Sequence, residues 1–140
     1  MKAAILIAPN ELAFTDAADP VAGSGDLILK IRAATICGTD IRIFRGRKTA
    51  GIRYPSIIGH EFSGEVVQTG QNSPFSIGQR VGVCPAIPCG HCPQCVRGNE
   101  NLCPDLQAIG YEIDGAFAQY IRVPAQAVAL GNAHLLPDAI

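Results

Sequence analysis

The sequence contains no tryptophan, a single methionine and few charged side chains, which make up only 16% of its 140 residues. This scarcity of charge, beside a hydrophobic fraction of 48%, excludes an intrinsically disordered chain, because disorder requires low hydrophobicity and high charge. Neither sign of charge is in excess, since the formal net charge is -1 at pH 7. Without a surplus of lysine and arginine we expect neither nucleic acid nor an anionic membrane as a partner.

Long hydrophobic runs are absent as well. The apolar run Ala3–Ala8 is stopped by Pro9 and Asn10, whereas a secretory signal needs about 7–15 apolar residues and a membrane span about 20. We therefore expect a cytoplasmic protein. In that reducing compartment clustered cysteines are metal ligands or catalytic groups more often than disulfides, and the sequence has 6 cysteines.

Glycine and proline are plentiful, at 15 and 10 residues, and they separate short segments that alternate between apolar and polar residues. The length fits one domain, and many short strands with frequent turns are typical of a β-sandwich or barrel. The clearest helix is short, from Thr39 to about Phe44, with Thr39 or Asp40 as its N-terminal cap. Strands are predicted at Lys2–Ile7, Glu11–Asp16, Leu27–Ala34, Glu61–Thr69, Arg80–Val83, Ala116–Val123 and Gln126–Leu130.

Four cysteines follow the spacing C-x2-C-x2-C-x7-C, at Cys89, Cys92, Cys95 and Cys103. Two-residue gaps let successive thiolates turn toward one point, and four thiolates at about 2.3 Å complete the tetrahedral shell of Zn²⁺ in a closed, structural site. We predict a structural zinc lobe over residues 84–104. The main alternative is an iron–sulfur cluster, although the ferredoxin pattern has three residues before its last cysteine and needs a second cysteine set. Cys84 ends a predicted strand and is interpreted as a small buried residue.

A second group of candidate ligands is built around Cys37 and His60, each of which ends an apolar stretch. Catalytic zinc sites combine cysteine and histidine ligands and keep one position open for water or substrate. The nearest carboxylates, Asp40 and Glu61, are candidates for orienting these ligands, as acidic groups do at metal sites. The hydroxyl of Thr39 would lie beside the metal as a candidate proton relay.

These groups stand in a series of motifs: Cys-Gly-Thr-Asp from Cys37, Gly-His-Glu from Gly59, Gly-x-Arg-Val from Gly78, the four-cysteine segment, and Gly-x-Phe-Ala from Gly115. In this order and spacing, over nearly the whole chain, the sequence resembles a zinc-dependent alcohol dehydrogenase of the medium-chain dehydrogenase/reductase superfamily. The Cys-Gly-Thr-Asp and Ile-Pro-Cys-Gly contexts are most similar to the sorbitol (polyol) and threonine dehydrogenase branch.

The resemblance implies a GroES-like domain over residues 1–140, mainly β, with a partly open barrel, short helices and a structural zinc lobe formed by the four cysteines. It implies that Cys37 and His60 bind catalytic zinc, with Glu61 beside the metal or bound to it and Thr39 taking the hydroxyl proton. The implied reaction is the reversible oxidation of an alcohol or polyol to a ketone or aldehyde by NAD or NADP, through a zinc alkoxide and hydride transfer. The implied assembly is a homodimer or homotetramer.

Arg42 is the first departure from the family pattern. It stands where the family continues its proton relay with a histidine, and an arginine side chain does not give up its proton. We hypothesise that Arg42 instead favours a phosphorylated or carboxylated group on the substrate or the cofactor.

The second departure is the lack of a nucleotide site. Gly23-Ser24-Gly25 is the one Gly-x-Gly start, but a strand-like run follows it, so it is not a dinucleotide fingerprint. The family's third catalytic ligand follows a Leu-Pro-Asp segment, here residues 136–138, and no acidic residue or cysteine comes after that segment. We therefore expect the N-terminal part of a longer enzyme, without a Rossmann domain or cofactor-binding residues, that binds catalytic metal weakly and does not oxidise alcohols alone. The alternative function is a zinc-binding interaction module without catalysis, which explains the four cysteines but neither Cys37 nor His60.

Overall fold

The computed structural model describes residues 1–71 and 73–137, and it is mainly β with short helices, which confirms the predicted fold class. No helix within these two ranges is long and apolar enough to cross a membrane. The strands are Lys2–Ala8 (β1), Glu11–Asp16 (β2), Leu27–Thr35 (β3), Ser56–Ile57 (β4), Glu61–Thr69 (β5), Arg80–Val83 (β6), Ala86–Ile87 (β7), Gln107–Ala108 (β8), Tyr120–Val123 (β9) and Ala133–Leu135 (β10). The helices are Gly38–Phe44 (α1), Pro93–Val96 (α2) and Ala125–Ala129 (α3), with a 3-10 turn at Glu100–Leu102.

The strands form a five-stranded sheet in the order β10-β6-β5-β3-β9, a three-stranded sheet in the order β2-β1-β4, and a two-stranded sheet of β7 and β8. Strand β3 runs antiparallel to β5 along its whole length, from the pair Leu27 and Thr69 to the pair Thr35 and Glu61. An isolated bridge links β1 to the segment before β9. Because β10 and β9 are the edges of the larger sheet, the described strands form a partly open barrel rather than a closed one.

Two hydrophobic clusters hold these sheets together. In β3, residues 27–29 are buried in succession, so the alternation predicted for a half-buried strand is seen only from Leu29, which is buried, to Arg32, which is exposed. A smaller cluster around Ile43 packs helix α1 against β1. The buried members of the main cluster are Leu27, Leu29, Val66, Val81, Val83, Ile87, Ile109, Ala116, Ile121, Val123, Ala127 and Ala133.

Two of the predicted strands are wrong in type or extent. The segment Gln126–Leu130 is predicted to be a strand, but helix α3 occupies Ala125–Ala129. Its alternating alanines imitate the period of a strand, whereas alanine and glutamine are strong helix formers and the extended Pro124 precedes the first turn. The predicted strand Ala116–Val123 is shortened to β9, because the amides before β9 bond instead to the carbonyls of the turn that precedes β5.

Asp26 is a buried carboxylate that joins the start of β3 to helix α3. Its oxygens accept hydrogen bonds from the N–H groups of Gly23 at 2.9 Å and Ala125 at 2.8 Å, and from the Arg122 guanidinium at 3.1 Å. Burial alone raises the pKa of Asp26, but these three donors outweigh it and hold the pKa below its usual value of 3.8. The ionised form of Asp26 therefore stabilises the fold.

Replacing Asp26 with asparagine should lower the free energy of unfolding by about 2–4 kcal/mol, because an amide cannot accept hydrogen bonds from all three donors. Since the folded pKa is lowered, the carboxylate contributes fully above its usual pKa, and the contribution is lost as the pH falls toward the folded value. Urea unfolding of both proteins from about pH 6 to pH 3 measures this dependence. The difference between them should shrink with acid, and a constant difference would contradict the assignment.

Candidate metal centres

Cys37 caps helix α1, in place of the predicted caps Thr39 and Asp40, both of which lie inside the first turn. Its sulfur accepts the Thr39 N–H at 3.2 Å, and the Asp40 carboxylate accepts the Cys37 N–H at 2.9 Å. This reciprocal pair is a capping box in which a thiol takes the usual place of a hydroxyl. The cap fixes the Cys37 sulfur at the start of the helix and holds Asp40, only 2% exposed, next to it.

A sharp turn at Gly59 positions His60. The φ of Gly59 is 99°, a left-handed conformation that glycine adopts without a steric penalty. Its carbonyl accepts the Ala116 N–H at 2.9 Å, and the ring of Phe117 lies where a Cβ on residue 59 would be. The turn therefore requires glycine, and it brings the His60 side chain to Cys37.

Cys37, His60 and Glu61 converge from α1 and the start of β5. The Cys37 Sγ lies 3.3 Å from the His60 Nε2, and the Glu61 Oε1 lies 3.9 Å from the same nitrogen. The three candidate ligand atoms all lie within 4.8 Å of one another, and the Thr35 hydroxyl donates to the other Glu61 oxygen. Sulfur, imidazole and carboxylate are ligands that Zn²⁺ accepts together. The family's third ligand is expected after the Leu-Pro-Asp segment at residues 136–138. Residues 138–140 lie outside the described residues.

Asp40 lies behind His60. The Asp40 Oδ1 is 3.2 Å from the His60 Nδ1, but the two atoms are not aligned for a hydrogen bond, and neither of these buried atoms has another hydrogen-bond partner among the residues that the structure describes. A metal ion on Nε2 would leave the Nδ1 proton facing this carboxylate, which is the usual arrangement at metal-binding histidines. The residues present therefore fit a metal ion.

The structure also brings two residues to this site that the sequence did not single out, Tyr111 and Lys48. The Tyr111 ring lies 5.5 Å from the His60 ring between centroids, and the Lys48 Nζ lies 4.5 Å from the Tyr111 centroid. Burial, followed by the negative charges of Cys37 and Asp40, raises the pKa of the Tyr111 phenol, while a hydrogen bond with Thr39 opposes this. Tyr111 stands alone between turn residues, so no periodic pattern marks it.

The four cysteines of the predicted lobe meet at a second point, with their sulfur atoms within 4.8 Å of one another. The Cys89 and Cys95 sulfurs are 3.9 Å apart, and those of Cys92 and Cys95 are 3.4 Å apart. Ligands about 2.3 Å from a tetrahedral zinc ion stand about 3.8 Å from one another. The short strands β7 and β8 pair at the base of the lobe. The cluster is therefore compatible with structural zinc.

Backbone N–H groups of the lobe point at the cysteine sulfurs. The N–H of Cys89 donates to Cys103 Sγ at 3.3 Å, and that of Cys92 to Cys89 Sγ at 3.3 Å. The His91 N–H contributes most to lowering the pKa of Cys89, to about 6, whereas burial raises the pKa of Cys95 to about 12. Zinc binds thiolates, so binding here must release protons from the thiols that remain protonated.

Cys84 is exposed, so the prediction of a buried side chain is wrong. Its backbone continues strand β6 by bonding to Asn132, with the Cys84 N–H donating to the Asn132 carbonyl at 2.8 Å. The strand ends at the surface because the core-facing position belongs to the preceding residue, Val83. Cys84 is not a member of either cysteine-containing cluster among the described residues.

The family model described as "Alcohol dehydrogenase GroES-like domain" matches residues 23–133 of this chain. The L-threonine 3-dehydrogenase of Shewanella woodyi is 42% identical over 144 residues, and the starvation-sensing protein RspB of Escherichia coli K12 is 37% identical over 141 residues. Both alignments cover 100% of this chain, but only 41% and 40% of these two relatives.

A solved structure shows the same fold. It is an alcohol dehydrogenase, RspB, from Escherichia coli CFT073 in complex with NADH, and the chains superpose with a TM-score of 0.88 at 36% sequence identity. The match covers 100% of this chain and 39% of the RspB chain. The present chain thus spans about 40% of the length of the relatives that it matches.

Proposed function

The chain belongs to the alcohol dehydrogenase GroES-like domain family, in the zinc-dependent medium-chain dehydrogenase/reductase superfamily, and from this premise we propose that it is the metal-binding catalytic portion of an NAD(P)-linked alcohol or polyol dehydrogenase. The membership confirms the resemblance predicted from the sequence. The proposal goes further in assigning catalytic zinc to Cys37, His60 and Glu61, and structural zinc to the four-cysteine lobe.

The convergence of Cys37, His60 and Glu61 carries the proposal. An interaction module that uses zinc only to hold its shape needs the four-cysteine lobe and nothing more. It gives no reason for a sulfur, an imidazole and a carboxylate from separate segments to lie within 4.8 Å of one another. Three protein ligands leave one tetrahedral position open, as catalytic zinc sites require.

The residues around the open position have distinct tasks. Zinc at this site would polarise an alcohol hydroxyl and lower its pKa, the Lewis-acid chemistry of zinc enzymes. The Asp40 carboxylate faces the His60 Nδ1 at 3.2 Å, which favours the tautomer with its proton on Nδ1 and leaves Nε2 free as a ligand atom. Its burial beside Cys37 and His60 makes Asp40 a positioning residue, because it acts through its two neighbours.

Thr39 is the proposed proton acceptor for the substrate hydroxyl. Its N–H donates to the Cys37 sulfur, which places residue 39 directly beside the ligand set, and its hydroxyl is within reach of Tyr111. A threonine hydroxyl can accept one proton while it passes its own toward solvent. Arg42, the residue at the family's histidine position, is exposed and is not needed for this transfer.

The hydride acceptor would be NAD or NADP, which makes the reaction the reversible oxidation of an alcohol to a ketone or aldehyde. Within residues 1–71 and 73–137 no glycine-rich turn joins a strand to a helix as a dinucleotide site requires; Gly25, for example, leads directly into β3. We therefore expect the 140-residue chain alone, supplied with NAD or NADP, to oxidise no alcohol.

Cobalt substitution tests the assignment without requiring turnover. The chain is loaded with zinc in the lobe and Co²⁺ at Cys37, His60 and Glu61, because visible Co²⁺ bands report the ligands around the ion. We expect these bands to shift when a small alcohol such as 2-propanol is added, since the alcohol takes the open position. The substitution Cys37→Ser should abolish the bands, and Cys84→Ser should leave them intact. Visible Co²⁺ bands that do not change when the alcohol is added, or that persist unchanged in Cys37→Ser, would contradict the proposal.

A further inference from the structure

The stretch of chain from helix α1 to the start of β5 has an unusual charge distribution. Between Asp40 and Glu61 the sequence carries five basic side chains and no acidic one. These five are nearly half of the 11 lysines and arginines in a chain whose net charge is -1. Both ends of this stretch lie at the candidate catalytic site, because Cys37 caps α1 at one end and His60 stands at the other. Its basic residues are Arg42, Arg45, Arg47, Lys48 and Arg53.

Lys48 is the member of this group that the structure fixes beside the site. Its backbone N–H donates to the Arg42 carbonyl at 3.2 Å, and its ammonium donates to the Ala50 carbonyl at 2.8 Å. The same ammonium lies 4.5 Å from the centroid of the Tyr111 ring. The cation–π contact and the hydrogen bond together restrict the Lys48 ammonium to one position beside the Tyr111 ring.

Tyr111 connects this charge to the metal ligands. One face of the site is the Tyr111 ring, which lies 5.5 Å from the His60 ring and within reach of Thr39. An alcohol whose hydroxyl is held between His60 and Thr39 therefore has Lys48 one aromatic ring away. A substituent a few carbons from the reacting hydroxyl can reach the ammonium.

The charge of Lys48 is not paired by any carboxylate that the structure describes. Among the described residues no carboxylate lies within ion-pair distance of its ammonium, whereas Arg53 from the same stretch pairs with Asp114 at 3.1 Å. Glu112, next to Tyr111, is engaged by the Ala108 N–H at 2.9 Å. An ammonium has three donors, and the described residues accept from one of them, which leaves two for a ligand.

We propose that Lys48 binds a carboxylate of the alcohol substrate, so that the substrate class is hydroxy acids rather than neutral polyols. The inference rests on the proposed function, because it assumes that Cys37, His60 and Glu61 hold the reacting hydroxyl. One fixed ammonium matches the single charge of a carboxylate, whereas a phosphate carries about -1.5 to -2 and is better matched by several cations. Lys48 is a specificity residue in this account and takes no part in the proton transfer.

Ligand titrations of the Co²⁺-loaded chain at low salt test the proposal. The probes are gluconate and glucitol, which differ at one end of the same carbon chain, with glucitol 6-phosphate as the phosphate counterpart. We expect gluconate to bind about tenfold more tightly than glucitol, as charge-assisted hydrogen bonding predicts. The substitution Lys48→Gln should remove that preference, and added salt should weaken it. Lys30→Gln is the matched control, because it removes an exposed lysine of β3 and the same unit of charge.

Each outcome decides between the assignments. Equal binding of gluconate and glucitol, or a preference that survives Lys48→Gln, overturns the role of Lys48 while the cobalt bands leave the proposed function standing. If Lys30→Gln removes the preference for gluconate as fully as Lys48→Gln does, the preference is an effect of net charge, and the role of Lys48 is likewise overturned. Tighter binding of glucitol 6-phosphate than of gluconate overturns the assignment of a carboxylate and indicates a phosphate as the group that Lys48 binds. Failure of Co²⁺ to bind at Cys37 overturns the proposed function and this inference together.

Discussion

Replacing Cys92 or Cys103 with serine will unfold the zinc lobe while the five-stranded sheet remains folded. The buried cluster of the lobe consists of its cysteines, with Cys92, Cys95 and Cys103 buried and Cys89 packed against them. Helix α2 has four residues, far below the 12–15 or so that an isolated helix needs for even marginal stability. The lobe therefore has no core other than its ligands and the metal they would hold.

The size of the effect follows from what structural zinc contributes. In zinc-finger peptides the apparent contribution is about 10–16 kcal/mol at neutral pH, and a serine hydroxyl does not replace a thiolate ligand. Amide NMR signals of residues 89–103 should collapse toward random-coil positions, while those of β3 and β5 keep their dispersion. Cleavage by a protease within the same residues should accelerate accordingly.

The matched control for this substitution is Cys84→Ser. Cys84 is exposed and outside both clusters, so the same chemical change there should leave the lobe signals and the zinc content unchanged. If Cys92→Ser retains the native signals of the lobe, the lobe does not depend on its metal and the structural role of these cysteines is wrong.

Substituting Gly59 with alanine should destabilise the fold by about 2–6 kcal/mol and displace His60 from its partners. The φ of Gly59 is 99°, and an alanine in such a conformation costs about 1–3 kcal/mol. The added Cβ would lie 2.6 Å from the Phe117 Cδ1, and forced overpacking costs about 1–3 kcal/mol more. Because Phe117 also packs in the cluster that supports α1, the turn has little room to relax.

Gly131 provides the control for backbone strain. Its φ is 78°, but no atom lies within 4 Å of the position where its Cβ would be. Gly131→Ala should therefore show the strain alone, about 1–3 kcal/mol, with normal Co²⁺ binding at Cys37, whereas Gly59→Ala should bind Co²⁺ much more weakly. Thermal unfolding and cobalt titration of the two variants measure both effects. Equal destabilisation by the two substitutions would show that the contact with Phe117 does not matter.

The sequence predicted best what short-range patterns determine. Strands β2, β5 and β6 are found with the predicted bounds, since each is a short run bounded by turn residues. The four-cysteine cluster follows from local spacing, because a two-residue gap by itself turns neighbouring thiolates toward one point. Helix α3 was predicted wrongly as a strand. The period of its small alanines fits either structure, so only the packing of this segment decides between them.

Contacts between distant segments were harder to predict. The pairing of Cys37 with His60 was expected from the motifs and their resemblance to a family, because a lone cysteine and a lone histidine carry little information by themselves. Tyr111 and Lys48 were missed, since their contact depends on how the turn after α1 folds over the turn after β8. The exposure of Cys84 likewise depends on where β10 begins beside β6.

The zinc content of the chain at saturating Zn²⁺, which compensates for the weak binding expected at Cys37 and His60, tests the central claim of two metal centres most directly. Native mass spectrometry counts the ions bound to each polypeptide, and the variants Cys37→Ser and Cys84→Ser provide the comparison. The account predicts two zinc ions in the wild-type chain and in Cys84→Ser, and one in Cys37→Ser. A single zinc ion in the wild-type chain, unchanged in Cys37→Ser, would contradict the assignment of Cys37, His60 and Glu61 as a metal site.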